Sequence, residues 1–185
     1  MRKILAGLIL VSIFGTVQAQ DIPVPEPTKA HELFAQDAGT WDCEVGMFFA
    51  GPNNPPIKFK GQEVNKLVSN DLYMQTTFTC EMGNRLFEGH SLVGYDPRTK
   101  TYTGTWVDSF TAVPSAIKGK YDAKKNTFTV LSTVVDLEND EELKQKQVTT
   151  WKDKSNKTFT IYLLMGEGDD QREIKLMEMT AKKRS

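Results

Sequence analysis

Apolar and polar residues alternate along most of the chain after its first forty positions. In Gly39–Phe49, Trp41 and Cys43 fall on one side, whereas Asp42 and Glu44 fall on the other. A period of two is the pattern of a β-strand with one buried face. The sequence therefore predicts that the sheet begins here.

Nine further segments are rich in Thr, Val, Phe, Tyr and Trp, and clusters of Gly, Pro, Asn and Asp separate them. The connections are short, and no helical run is long enough for a parallel crossover. The predicted strands are Ile57–Val68, Leu72–Cys80, Leu86–Tyr95, Thr101–Ser109, Ala116–Tyr121, Thr127–Leu137, Leu143–Lys152, Thr158–Met165 and Arg172–Lys182.

About ten antiparallel strands in so short a chain would leave long exposed edges unless the sheet closed on itself. We therefore predict an all-β fold, an antiparallel up-and-down barrel of about 8–10 strands. A two-sheet sandwich is the alternative, and pairing of the first strand with the last would distinguish the two.

The chain before the sheet has its own organisation. Residues 20–29 form a Pro-rich tether, since Pro23, Pro25 and Pro27 favour an extended chain. A short helix over Ala30–Ala38 follows, and Gly39 ends it. Residues 30–185 are predicted to form the barrel domain.

The first nineteen residues have the pattern of a secretory signal. Arg2 and Lys3 precede the apolar run Ile4–Phe14, which is too short to span a bilayer, and Val17-Gln18-Ala19 supplies small residues at the cleavage site. We predict cleavage after Ala19 and a periplasmic or extracellular protein with no membrane span after cleavage.

Charge and cysteine content narrow the class further. The formal net charge is −1 and becomes more negative without Arg2 and Lys3, which argues against a nucleic-acid partner. Export makes a disulfide between Cys43 and Cys80 plausible on compartment alone. If Phe49 faces Ile57, however, Cys80 lies off the row of Cys43 and two strands away, and we predict unpaired thiols.

The predicted inner face is aromatic and rich in methionine, which suits a small apolar or amphipathic ligand in a barrel cavity. Two alternatives stay open. One is an enzyme that uses the inward carboxylate of Asp108 with Tyr102, and the other is a solid-core barrel that binds an envelope protein. The candidate cavity residues are Trp41, Met74, Phe78, Tyr102, Trp106, Asp108 and Trp151; Met47, Phe49, Phe128, Phe159, Ile161 and Met165 share the predicted face.

Other chemistry finds little support, and we predict no catalytic motif, metal or cofactor. His90 and Ser91 are adjacent and point to opposite faces, so they cannot act as base and nucleophile. A Glu88–His90 pair is more plausibly exposed than part of a cavity. The acidic segment Asp136–Glu142 lacks the glycine and final glutamate of a calcium loop.

Gly39-Thr40-Trp41 directly follows the predicted helix. This placement resembles the Gly-x-Trp start of lipocalins and related calycin barrels, in which the tryptophan closes one end of the barrel. The resemblance implies structural roles for Gly39 and Trp41, with a basic residue from the last strand, Lys182 or Arg184, over the ring. Haem-binding barrels of the nitrobindin type also resemble this architecture, but their late histidine ligand has no counterpart after His90.

A second resemblance covers most of the chain and includes that first motif. The further motifs are Phe87-Glu88-Gly89, Leu92-Val93-Gly94-Tyr95-Asp96 and Trp106-Val107-Asp108-Ser109. Together they are similar to the family called domain of unknown function 1579. This resemblance implies a barrel-like fold and no established activity.

Overall fold

The computed structural model describes residues 24–136 and 139–185. The predicted signal sequence, the start of the tether and the end of the seventh predicted strand lie outside these ranges. A 3-10 turn at Lys29–His31 leads into α1 (Glu32–Asp37), so the predicted helix is present but short. The strands are β1 (Gly39–Met47), β2 (Ile57–Val68), β3 (Tyr73–Met82), β4 (Arg85–Asp96), β5 (Thr101–Asp108), β6 (Ser115–Asp122), β7 (Thr127–Asp136), β8 (Glu141–Trp151), β9 (Asn156–Met165) and β10 (Arg172–Lys183).

The ten strands form one closed antiparallel barrel in which each strand pairs with its neighbours in sequence. β1 also pairs with β10, with Trp41 opposite Lys183 and Met47 opposite Met177. This pairing confirms the predicted barrel and excludes the sandwich. A bulge between Lys175 and Met177 shifts the register of β10 against β9.

The helix packs over one end of the barrel. The N–H of Thr28 donates to Nδ1 of His31 at 2.9 Å, and the buried His31 ring packs edge-on against Phe34 and Tyr95. Leu33 and Phe34 are 4% and 1% exposed, respectively. The amphipathic helix therefore covers the end of the barrel where β1 begins, which we call the closed end; the opposite end is the mouth.

The predicted register of the first hairpin is wrong by two residues. β1 ends at Met47, which faces Ile57, because Phe48 bonds through its N–H to the carbonyl of Leu176 and the chain then leaves the sheet. Consequently, Cys43 faces Gly61, and Gly61 faces Cys80. The two cysteines share one row.

Both thiols are buried and free in the structure. Two strand spacings separate their Cα atoms by roughly 10 Å, whereas a disulfide needs about 7 Å or less. The predicted separation by two strands is therefore present and alone keeps the thiols apart, whereas the predicted offset along the strand is absent.

Candidate functional site

The interior of the closed end is built around Trp41. Its side chain is fully buried, and its indole N–H donates to the carbonyl oxygen of Asp37 at 2.9 Å. Trp151 is 4% exposed and donates its indole N–H to Oδ1 of Asp37 at 2.8 Å. The last residue of α1 thus ties the helix to two strands of the barrel.

A buried ionic triad lies beside this ring. Nζ of Lys157 is 2.6 Å from Oδ1 of Asp37 and 2.6 Å from Oε1 of Glu63. The amide of Asn65 donates to Oδ2 of Asp37 at 2.9 Å and accepts from Thr76 at 2.7 Å. Buried charges are stable only when paired and hydrogen-bonded, and every member of this network has partners.

Burial governs the protonation of the triad. It raises the pKa of Glu63, against the opposing effect of Lys157, and the nearby Asp37 charge raises it further. Burial also disfavours the charge on Lys157, but the Asp37 and Glu63 carboxylates outweigh this and raise the pKa of the lysine. Lys157 therefore stays protonated between two carboxylates.

The basic residues over Trp41 differ from those predicted. Nζ of Lys157 lies 4.3 Å from the ring centroid, and Nζ of Lys183 lies 5.2 Å from it. The prediction of Lys182 or Arg184 is wrong, because Lys182 is an exposed residue opposite the outward Asp42, and Arg184 pairs with Asp42. Lys183 lies on the same face of β10 as Ala181, which points inward.

Tyr102 also belongs to the closed end. Its hydroxyl donates to the carbonyl of Ala30 at 2.7 Å, and its ring packs edge-on against Phe34 and Phe128. Burial raises the pKa of Tyr102 to about 12. Its hydroxyl therefore acts as a buried donor that holds the helix.

Towards the mouth, many of the large inward side chains are only half-buried, so part of their surface is accessible to water. We call this part of the interior the open half. Its half-buried inward residues are Met47, Phe59, Phe78, Met82, Phe87, Trp106, Ile117, Ile161, Leu163 and Met177.

Three aromatic rings lie against inward glycines. A Cβ atom at Gly89 would overlap the Trp106 ring, and one at Gly119 would lie 2.6 Å from the Phe128 ring. At Gly61, a Cβ atom would lie 3.1 Å from Cζ of Phe78. Because these glycines have no side chain, the rings lie along the wall rather than across the interior.

Trp106 and Asp108 form a fixed pair near the mouth. The indole N–H of Trp106 donates to Oδ2 of Asp108 at 2.8 Å, and Oδ1 accepts the N–H groups of Phe110 and Thr111 at 2.8 and 2.9 Å. Asp108 thus orders the β5–β6 loop. The predicted acid–base pair with Tyr102 is not formed, since six residues of strand, roughly 20 Å, separate them.

Neutral polar side chains lie on another part of the inner wall. Gln145 and Gln147 face inward on β8, and the amide of Gln147 donates to Oγ of the inward Ser132 on β7 at 3.2 Å. In the closed strand order, β8 is five strands from β3 in both directions, so it faces the wall that carries Phe78.

The other candidates divide between the two ends. Met74 faces inward opposite Leu67 at the closed end, and Phe78 faces inward towards the open half. Phe49 is in the β1–β2 loop with 65% exposure, so its predicted inward position is wrong. His90 lies on the outer face, 2.7 Å from Glu88, and both side chains are substantially exposed.

Across residues 24–136 and 139–185, no group of three or more His, Cys, Asp or Glu side chains has metal-binding geometry. Within the same ranges, none of the helical segments has the length and hydropathy needed to cross a membrane. A broad groove of about 960 Å³ lies on the outer wall, but it is lined by mixed charges such as the Asp42–Arg184 pair. Most of its other charged side chains, such as Glu44, Lys60 and Lys182, are exposed on the outer face, so it is a solvent-facing polar groove and not part of the apolar interior.

Comparison with known proteins identifies the family. The model of a family described as a protein of unknown function, DUF1579, matches residues 26–183. The chain belongs to this family. Comparison with curated proteins gives no match.

Two solved structures are similar in fold. The S-type phycobiliprotein lyase CPES from Guillardia theta aligns with a TM-score of 0.55 and 8% identity, over 84% of this chain and 93% of that one. A redesigned β-barrel, b11L5F_LGL, aligns with a TM-score of 0.44 and 14% identity, over 87% and 100%. The first likeness supports the barrel fold and says nothing about ligand or activity.

Three of the motifs that suggested DUF1579 from sequence lie in the β4–β5 hairpin, whereas Gly39-Thr40-Trp41 opens β1 at the closed end. Gly89 accommodates the Trp106 ring, and Asp108 accepts its N–H. Oγ of Ser109 accepts the N–H of Glu88 at 3.0 Å, and the carbonyl of Glu88 accepts the N–H of Ser109 at 2.9 Å. In this DUF1579 chain these motifs therefore fix one aromatic ring beside the mouth.

Proposed function

We propose that the protein is a non-catalytic binding protein that holds a small apolar or amphipathic molecule in the open half of its barrel. The observation that carries the proposal is the contrast in burial among the three inward tryptophans. Trp41 and Trp151 are 0% and 4% exposed at the closed end, whereas Trp106 near the mouth is half-buried, as are the inward Phe59 and Phe87. Exposed apolar surface inside a barrel is stabilised when a ligand covers it.

The rest of the barrel supports a preformed site. The helix and the ionic triad hold the closed end of the barrel together. The site therefore needs no folding when a ligand binds. The loop at the mouth after β5 is ordered by Asp108 through two backbone hydrogen bonds. A ligand would therefore enter the open half, whose surrounding strands are already in place.

The enzyme alternative has less support. Asp108 already accepts three hydrogen bonds, and the Tyr102 hydroxyl donates to a backbone carbonyl beneath the helix. Neither group is free at a shared position where a substrate could contact both. We therefore favour binding over catalysis.

We also propose that the protein acts outside the cytoplasm, on the strength of the signal pattern in residues 1–19. Intact-mass analysis of the exported protein is expected to give a mature chain that begins at Gln20. Cytosolic protein that retains Met1 would contradict this.

Binding is tested with two neutral probes, dodecanol and phenylnaphthylamine, and with native mass spectrometry for molecules that co-purify. Leu163 and Leu164 provide matched variants, because Leu163 faces inward opposite Gln145, whereas its neighbour Leu164 faces outward. Leu163→Trp is expected to weaken binding of either probe at least about tenfold, by filling the chamber. Leu164→Trp is expected to leave binding unchanged.

Two results would contradict the proposal. One is the absence of binding by both probes together with no co-purifying molecule. The other is equal binding by the two leucine variants, which would place any bound probe outside the barrel.

A further inference from the structure

The open half carries information about the class of ligand. We propose, on the basis of the binding function above, that the ligand is a planar aromatic or conjugated molecule whose buried part is uncharged. It stacks against the Trp106 ring and directs its neutral hydrogen-bonding groups towards Gln145 and Gln147. Three features of the chamber lead to this assignment.

The first feature is that Trp106 has a fixed orientation. The six-membered part of its ring lies against Gly89, where any side chain would displace it, and its N–H is held by Asp108 at 2.8 Å. Asp108 is itself held by the N–H groups of Phe110 and Thr111. A half-buried indole that cannot rotate presents a preorganised flat surface.

The second feature is that neighbouring rings extend this surface. Phe87 lies nearly parallel to Trp106, with an interplanar angle of 21° and centroids 6.5 Å apart. Phe78 follows, with its centroid 6.0 Å from that of Phe87 and its ring tilted by 60° to it. The glycines beneath Trp106 and Phe78 allow both rings to lie along the wall. A flat π-system contacts such a wall better than a flexible alkyl chain does.

The third feature is the charge distribution. Within the described strands, four charged side chains face the interior below the mouth, and the protein already holds each of them by a hydrogen bond, an ion pair or an aromatic ring: Asp108, Glu63, Lys157 and Lys183. Asp136 and Glu141 lie opposite each other at the mouth itself. Arg85 and Arg172 are exposed at the mouth. An ionised ligand group in the chamber would lose its hydration without gaining a free counter-charge.

Gln145 and Gln147 supply neutral partners instead. The Gln147 amide N–H₂ bonds to Ser132, and Gln145 forms no side-chain hydrogen bond with any described residue. An amide both donates and accepts, so this wall can meet a carbonyl or a hydroxyl group. The two walls together match a flat ring system with neutral oxygen substituents.

The test compares three probes of similar size by titration of the mature chain, followed by protein NMR. Acetylnaphthalene is flat and neutral, acetyldecalin is its saturated counterpart, and naphthoate carries a charge. We expect acetylnaphthalene to bind about three- to tenfold more tightly than acetyldecalin. Naphthoate is expected to bind at least about tenfold more weakly than acetylnaphthalene.

Two variants and one control show which residues cause the preference for acetylnaphthalene. Trp106→Leu is expected to abolish the advantage of acetylnaphthalene over acetyldecalin. Tyr73→Leu is the matched control, because Tyr73 lies over Gly94 in the same way but on the outer face. This control is expected to keep the full ratio. Gln147→Leu is a second variant that leaves the Trp106 wall intact, and it should reduce the preference for acetylnaphthalene over methylnaphthalene.

The outcomes separate this inference from the binding function. If dodecanol binding is sensitive to Leu163→Trp but acetyldecalin binds as tightly as acetylnaphthalene, the inference is wrong and the binding function stands. Tightest binding by naphthoate would overturn the assignment of an uncharged ligand. If none of the probes binds, both this inference and the proposed binding function are wrong.

Discussion

The two ends of the barrel use tryptophan in opposite ways. At the closed end, Trp41 and Trp151 are buried and donate to Asp37, so their rings and N–H groups are fully occupied by the protein. Near the mouth, Trp106 is equally fixed by hydrogen bonding but remains half-buried. The comparison shows that rigidity and burial are separate properties of an aromatic side chain. An end that is both rigid and buried stabilises the fold, whereas a rigid, accessible end is suited to binding.

The strongest test of the closed end is Lys157→Met. The substitution leaves Asp37 and Glu63 buried without their cation, and we expect a loss of about 3–5 kcal/mol in unfolding free energy. Lys175→Met is the control, because its pair with Glu178 lies on the outer face and is partly solvent-exposed, so it should contribute about 1 kcal/mol or less. Denaturant unfolding measures both. Equal losses would remove the energetic distinction between the triad and a surface pair.

Alkaline pH is expected to weaken the same end. Burial and the nearby Glu63 charge raise the pKa of Cys43 to about 12, so the unfolded chain loses this proton before the folded chain does. The contribution is fully present below about pH 9 and is lost as pH rises towards 12, by up to about 4 kcal/mol. Cys43→Ala should flatten this part of the stability profile. Parallel profiles for the variant and the original chain would contradict the assignment.

Matched tryptophan substitutions compare the two ends directly. Trp151→Phe should cost about 2–4 kcal/mol, because it removes a buried hydrogen bond to Asp37 and leaves a cavity. Trp106→Phe should cost about 1 kcal/mol, since Asp108 keeps its two backbone donors and water can replace the indole N–H. Thermal and denaturant unfolding provide the values. The reverse order would show that the mouth, and not the closed end, stabilises the fold.

Gln145→Leu is expected to have the smallest effect on stability. Gln145 faces the open half and makes no side-chain hydrogen bond within the described chain, so the change should alter stability by about 0.5 kcal/mol or less. Asn65→Leu is the counterpart at the closed end and should cost about 2 kcal/mol, because it breaks contacts with Asp37 and Thr76. Unfolding curves of the two variants are compared at one pH.

The alternation of side chains was sufficient to predict the strands and the barrel. It depends only on local geometry, and each strand buries one face, so the signal repeats along the chain. The length of the β1–β2 loop was not predictable in the same way, because Phe48 and Phe49 continue the apolar pattern after β1 ends. The misplaced start of that loop shifted the predicted β1–β2 register by two residues, and Cys43 was therefore assigned to the wrong row.

The ionic triad was missed because its members are far apart in sequence. Glu63 and Lys157 lie 94 residues apart, and each alone is typical of an exposed strand position. A signal was nevertheless present: Glu63 is in phase with Phe59 and Leu67 on β2, and Lys157 is in phase with Ile161 on β9. Charged residues on an apolar face indicate a buried partner, but the sequence does not identify which one.

The position of the triad has a consequence for folding kinetics. Glu63 on β2 and Lys157 on β9 lie on either side of the β1–β10 pair, the contact that joins segments such as Asp42 and Arg184 across 142 residues. Such a distant pairing has a high loop-closure cost, and we expect it to form late in folding. Interactions that form after the transition state change the unfolding rate more than the folding rate. Lys157 is therefore expected to determine how long the barrel stays closed, with little influence on how quickly it forms.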